Sequence, residues 1–237
     1  MIFPKILASG KRWIRILAGW LIVGLLILLV FSWIQVAGLR YINPPFTAFM
    51  FWDFCFSQAR VPLRLNWVAP PDMSVHVAQA VLAAEDQRFF QHHGFDWQEI
   101  ERALADTRDG RRLRGASTIT MQAARNIFLW PGRSWLRKAL EAYYTLLLEL
   151  MLSKTRILEI YLNVVEFGPG IYGVSAAAGA FFHCRPDGLT SSQAAALAVV
   201  LPAPKVRSPL DRTAFMTRRK QAILRQMGHM RLEGWPQ

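Results

Sequence analysis

The hydrophobic pattern of the chain changes character twice. From Ile16 to Ile34 the sequence ILAGWLIVGLLILLVFSWI runs 19 residues without a charge. A helix needs about 20 apolar residues to cross a hydrocarbon layer of about 30 Å, so this stretch can span one. A cleaved signal peptide is the alternative, but its apolar core usually runs only about 7–15 residues and ends at a small-residue site. VAGLR is a weak version of such a site, and the stretch reads as a retained transmembrane anchor over 16–36. The segment YINPPFTAFMFWDFCF (41–56) is aromatic, nearly uncharged and too short to cross again. It either packs on the following domain or lies among lipid headgroups; beside an anchor, partial embedding is the favoured reading.

From about residue 70 the spacing turns helical nearly throughout. Ser74 is placed to cap a helix carrying Val77, Val81 and Leu82, and Asp96 with Glu99 reads as a capping box opening WQEIERALADT. Ser117 opens STITMQAARNIFL. Ser134 opens WLRKALEAYYTLLLELML, with Leu140, Tyr144, Leu147, Leu148 and Met151 as the expected buried stripe. Thr190 with Gln193 is a further capping box, and Asp211 is expected to cap a last helix that Gly228 ends. No alternating strand pattern stands out beyond a short turn near Arg111–Leu113. The organisation expected is a basic tail (1–15), the anchor (16–36), a membrane-proximal aromatic segment (37–69) and one all-α domain (70–237).

Charge sets the orientation and removes one class of partner. The formal charge is +12, from 28 basic and 16 acidic side chains, which points to an anionic partner. Lys5, Lys11, Arg12 and Arg15 precede the apolar run with no acid among them. Basic flanks stay on the cytoplasmic side, so the domain is expected to face outward, in the periplasm of a bacterium, and nucleic acid is not the expected partner. The two cysteines, Cys55 and Cys184, match no metal spacing and form no disulfide framework; both read as small packed or membrane-proximal residues.

Four stretches carry candidate chemistry. In VLAAEDQRFFQHHGFD (81–96), Glu85 and Asp86 end an apolar helix, where unpaired carbonyls disfavour carboxylates. Burial and like charge both raise a carboxyl pKa toward the range useful for proton transfer. The bland alternative is an acid paired with Arg88 on a solvated turn, and the stretch alone does not decide. In RDGRRLRGASTITMQAARN (108–126), Arg108, Arg111, Arg112 and Arg114 lead into Ser117, Thr118 and Thr120 at a helix start, a setting suited to a phosphate-bearing ligand. Thr118, Gln122 and Arg125 follow on one face. In RKALE, Arg137, Lys138 and Glu141 share a face; as an isolated signal such a group is usually a surface ion pair. It nevertheless supplies a second carboxylate, and glycosyl chemistry uses two. In KTRILEIYLNVVEFGPGIYGVSAAA (154–178), Lys154, Glu159, Tyr161 and Asn163 precede a Gly-rich loop and a small-residue helix, and the reading is structural by default.

With these stretches in this order the sequence resembles glycosyltransferase family 51, the peptidoglycan-polymerising transglycosylases. EDQRFFQHHG stands for the family's E-D-x-x-F-x-x-H-x-G, GASTITMQ for G-x-S-T-I-T-x-Q, RKALE for R-K-x-x-E, and ILEIYLN for I-L-E-x-Y-L-N. The resemblance covers roughly residues 70 to 227. Two departures are visible: Arg125 stands where the family usually has Lys, a planar fork for a point donor, and FFHC (181–184) stands where a Y-F-G-K-like run is usual.

The resemblance implies a lysozyme-like all-α fold with a small membrane-associated subdomain, and, with no transpeptidase domain following, a monofunctional enzyme. It implies that a growing glycan on undecaprenyl pyrophosphate is the donor and lipid II the acceptor, with inversion at the anomeric carbon. Glu85 matches the general base and Glu141 the second carboxylate, the one candidate ligand for a divalent metal (Mg2+ or Mn2+) that is not obligatory. Arg125, Arg137 and Lys138 would neutralise the pyrophosphate, and Asp86, Ser117, Thr118, Thr120 and Gln122 would line the substrate cleft. His92 and Gly94 would hold the loop bearing Glu85. Membrane lipids and other wall-synthesis and division proteins are the implied partners. A glycan-cleaving enzyme of the same fold, with Glu85 as acid, and a non-catalytic scaffold are the rival readings.

Overall fold

The computed structural model describes residues 3–56, 65–108 and 115–236, for residues 3–12 and 14 the backbone alone. It divides into two units, Met1–Ile42 and Asn43–Gln237. The first is dominated by one helix, α1 (Phe3–Gly38). Its stretch Arg15–Gly38 is, among the described residues, the one helix long and apolar enough to cross a membrane; at about 1.5 Å per residue it exceeds a hydrocarbon layer of about 30 Å. Trp20, Leu21 and Leu28 are exposed on it.

The second unit is helical: α2 (Ala48–Phe56), α3 (Val75–Glu85), α4 (Trp97–Arg108), α5 (Ile119–Phe128), α6 (Trp135–Met151), α7 (Lys154–Val164), α8 (Gly173–Phe182), α9 (Ser191–Val200) and α10 (Ala214–Met227). Its centre is built from helices with little or no polar face. In α3, Val77, Ala78 and Ala80–Ala83 are buried, and in α9 every residue from Ala194 to Val200 is. Small side chains let backbones approach, and α3 packs on both α9 and α10. On the other side α5 lies against α6 and α7, and α7 is buried from Ile160 through Val164.

Most starts and stops follow local chemistry. The Ser134 hydroxyl accepts from the Arg137 N–H, Asp96 accepts from Glu99 N–H, and Thr190 and Gln193 complete a capping box, as expected. Three expectations shift. Ser74 precedes α3, but its hydroxyl donates to the Leu189 carbonyl at 2.7 Å, tying α3 to the lead-in of α9 instead of capping. Thr118, one residue past Ser117, is the cap of α5. Thr213 caps α10, while Asp211 accepts from Ser208 N–H in the preceding loop. The turn expected at 111–113 lies outside the described residues. The expected stripe on α6 is only partly right: Leu147 and Leu148 are buried, Leu140, Tyr144 and Met151 half-buried, and Arg137, Glu141 and Thr145 occupy the interior in their place. The outward positions, Trp135, Leu136, Ala139, Leu146 and Leu150, are all apolar.

A small antiparallel pair, β1 (Glu166–Gly168) and β2 (Ile171–Tyr172), was not expected; it closes within the Gly-Pro-Gly turn and is too short to show a period. Gly173, which follows it, has φ +80°, and a Cβ there would meet the Asn163 carbonyl oxygen at 2.3 Å. Asn163 is itself wholly buried and pairs through its amide with both the N–H and C=O of Val68. Gly173→Ala is expected to combine left-handed strain with a backbone clash and to destabilise by about 3 kcal/mol or more, read as a lowered melting temperature in detergent.

Candidate functional site

Glu85 is the last residue of α3, and its carboxylate points across to α5: the Gln122 side-chain N–H donates to Oε2 at 2.9 Å. The other end of that amide accepts from the hydroxyl of the wholly buried Tyr161 on α7, also at 2.9 Å. Burial raises the Glu85 pKa above its ordinary value; the Gln122 hydrogen bond, Arg219 and Arg125 pull it back, and Asp86 pushes it up. The desolvation wins, as expected for an acid ending a buried helix.

Asp86, its neighbour, lives in a different setting. Both oxygens lie 3.0–3.1 Å from His92 Nε2, and Oδ2 also accepts the backbone N–H of Ile119 at 3.0 Å. A buried carboxylate thus receives the first amide of α5 and locks the loop after α3 against it. Thr118 donates to the Gly94 carbonyl at 2.6 Å and accepts from Met121 N–H. Gly94 has φ +86°, and a Cβ there would fall 2.8 Å from Thr145 Cγ2 on α6. Thr120 donates to Glu149, which also takes Lys154, whose ammonium sits 4.4 Å from the Phe89 ring centroid. Asp86, Thr118 and Thr120, expected to touch substrate, are therefore engaged by the protein itself, and His92 and Gly94 are part of the same brace. Ser117 is half-buried just before the cap.

The third stretch folds into a compact ionic group. Glu141, 2 % exposed, takes Arg137 at 2.7 Å on one oxygen and Lys138 on the other. Its negative charge holds two cations on the first turn of α6. Arg125 and Arg137 each keep a buried Nε–H unpartnered among the described residues. Both Glu141 oxygens are taken by Arg137 and Lys138, and among the described residues no group of three His, Cys, Asp or Glu side chains is gathered for an ion. Arg108 ends α4 exposed; Arg111, Arg112 and Arg114 lie outside the described residues.

Glu85 and Gln122, joined by their hydrogen bond, each line a different cavity. A polar one of about 270 Å³ is lined by Glu85 with Gln87, Arg88, Glu99, Arg102 and Gln226. A second, of about 310 Å³, is lined by Gln122, Arg125, Asn126, Glu166, Tyr172, Lys205 and Phe49. Here sequence reasoning missed several residues. Lys205 binds both oxygens of Asp53 at 2.7 Å, Tyr172 donates to Asp53 at 2.6 Å, and Arg125 lies 5.9 Å from the Phe49 ring centroid, so α2 is fastened to the domain by charge as well as by rings. Arg219 of α10, which donates to the Ala84 carbonyl at 3.0 Å, faces Glu85 as well. In the sequence TRRKQ it reads as an ordinary solvated face, and only tertiary packing marks it out.

Burial pushes the Glu166 carboxyl up to about 7, against the pull of Lys205 and the Gly170 N–H and with a further push from Asp53. Because the folded state binds this proton more tightly than the unfolded one, its contribution is complete below about pH 4.5 and is lost as pH rises through about 7. Glu166→Gln is expected to remove that slope, so that the variant gains roughly 1–2 kcal/mol on the wild type between pH 5 and pH 8 after allowance for solvent screening, measured by unfolding at each pH.

A family model described as Transglycosylase matches residues 56–228. A biosynthetic peptidoglycan transglycosylase of Xanthomonas euvesicatoria pv. vesicatoria (strain 85-10) is 44% identical over 221 residues, 92% of this chain and 88% of the relative. One from Pasteurella multocida (strain Pm70) is 43% identical over 198 residues, 82% of this chain and 80% of the relative. One from Marinomonas sp. (strain MWYL1) is 46% identical over 188 residues, covering 79% and 81%.

Proposed function

The chain belongs to the transglycosylase family, and from that premise we propose that it is a peptidoglycan glycosyltransferase that polymerises lipid II into glycan strands. The observation that carries the reading is Glu85: a carboxylate made more basic by burial, hydrogen-bonded to the helix that bears Arg125, and facing a polar cavity. Its role is to take the proton from the 4-hydroxyl of the lipid II sugar. That oxygen forms the new bond to the anomeric carbon of the growing chain from the face opposite the leaving group. The carbon–oxygen bond to undecaprenyl pyrophosphate breaks, its electron pair leaves with the diphosphate, and configuration inverts.

Negative charge grows on the departing diphosphate, and fixed cations stabilise it without reorganisation at the moment of reaction. Arg125, Arg137 and Lys138 take that part, with Ser117 and Gln122 at the cleft. Glu141 serves by clamping Arg137 and Lys138 in place. A cavity on each partner of the Glu85–Gln122 bond suits a reaction with two sugar-bearing substrates. Residues 16–36 anchor the enzyme in the inner membrane with its N-terminus cytoplasmic and the domain in the periplasm, where lipid-linked substrate is presented. Asp86, Thr118 and Thr120 act from behind, as the brace that sets the distance between Glu85 and α5.

Polymerisation of labelled lipid II by the full chain in detergent tests this. Glu85→Gln is expected to slow polymer formation by about 10²–10⁴-fold while lipid II still binds. Glu141→Gln, which frees both cations, is expected to lower kcat/KM by about 10²-fold. Consumption of mature sacculi with no polymer from lipid II would overturn the assignment in favour of a cleaving enzyme, and unaltered polymer from Glu85→Gln would remove its base.

A further inference from the structure

Gln122 uses both ends of its amide, and the order in which it uses them matters. Its N–H faces Glu85 Oε2 and its oxygen faces the Tyr161 hydroxyl, each at 2.9 Å. A side-chain amide turned end for end keeps its shape, so partners decide its direction. Facing Glu85 with the N–H supports the ionised acid, which can only accept. Facing it with the oxygen would support the protonated acid, which can donate.

Tyr161 decides between them. Its hydroxyl is wholly buried, burial holds its proton firmly, and among the described residues its one hydrogen-bond acceptor is Gln122 Oε1. Reversing the amide would strand the phenol proton in the interior, which is costly. We propose that Tyr161 is a positioning residue for the base: acting through Gln122, its hydroxyl keeps Glu85 a proton acceptor and denies the protonated acid a hydrogen-bond partner. The inference rests on the reading of Glu85 as the base. The charged groups that bear on Glu85 are Arg125 from α5, Arg219 from α10 and Asp86 beside it, with Arg88, Glu99 and Arg102 lining the same cavity. None of them touches the amide's oxygen end, so none substitutes for Tyr161.

The test is the pH dependence of kcat/KM for lipid II polymerisation by the full chain, compared among wild type, Tyr161→Phe, Gln122→Met and the double variant. Tyr161→Phe frees the amide to turn, and the acid limb of its profile is expected to move up by about one pH unit, leaving it approaching tenfold slower than wild type at the acid end and converging with it as pH rises. Gln122→Met is expected to move the limb in the same direction, and adding Tyr161→Phe to it is expected to move it no further, since the two act through one bond chain. An acid limb at the wild-type position in Tyr161→Phe, or a loss equal at every pH, would overturn the proposal while leaving the base in place. If Tyr161→Phe does not fold, an unshifted limb in Gln122→Met overturns it equally. Failure of wild type to polymerise lipid II would instead sink the reading of Glu85 itself.

Discussion

Asp86 receives the first backbone N–H of α5 and the ring of His92, and through that one buried carboxylate three pieces of chain are held to a common point. The end of α3, the loop through Gly94 and the start of α5 each bring polar backbone to that point, beside the buried Leu82, Phe89 and Ile119. Charge-assisted hydrogen bonds are each worth about 1.5–3 kcal/mol, and an uncompensated buried charge costs more. Asp86 therefore has a large stake in this geometry, and the span between Glu85 and Gln122 is inherited from it.

Two adjacent acids with opposite fates follow from that constraint. Asp86 turns inward to amide and imidazole; Glu85 then faces the groove, where burial opposes its charge and the Gln122 amide, with Arg219 and Arg125, supports it. The same division of labour recurs on α6. Glu141 gives up both oxygens to hold Arg137 and Lys138, so two basic groups are kept in register by an acid that is nearly without solvent contact. In each pair one acidic side chain is committed to the protein's own hydrogen bonds and ion pairs.

Much of this was legible in the chain. The helical period, half of the expected N-caps and the order of the four motifs pointed to an all-α domain behind an apolar helix, and the apolar run before Glu85 announced a half-buried acid. What was not legible came from long-range placement. Nothing in EDQRFF tells which of two acids turns inward, since that depends on where the Ile119 amide lands. The hydroxyls of Thr118 and Thr120 follow the same helix start as a ligand site would, yet one goes to the Gly94 carbonyl and the other to Glu149. Glu166, Lys205, Asp53 and Tyr172 lie far apart in sequence, and Arg219 sits in a run of charges, so no local period singles them out. The β1–β2 pair is five residues of strand, too few for alternation to register.

The outer side of α6 has a practical bearing. A helix normally shows water a polar stripe, but the exposed positions of this one, Trp135, Leu136, Ala139, Leu146 and Leu150, are apolar, and Lys138 adds a partly exposed charge. Oiliness is consequently built into the folded body and not confined to the leader ahead of it. A protein without the first helix would still carry this apolar flank, the kind of patch that favours association or an amphiphile over water.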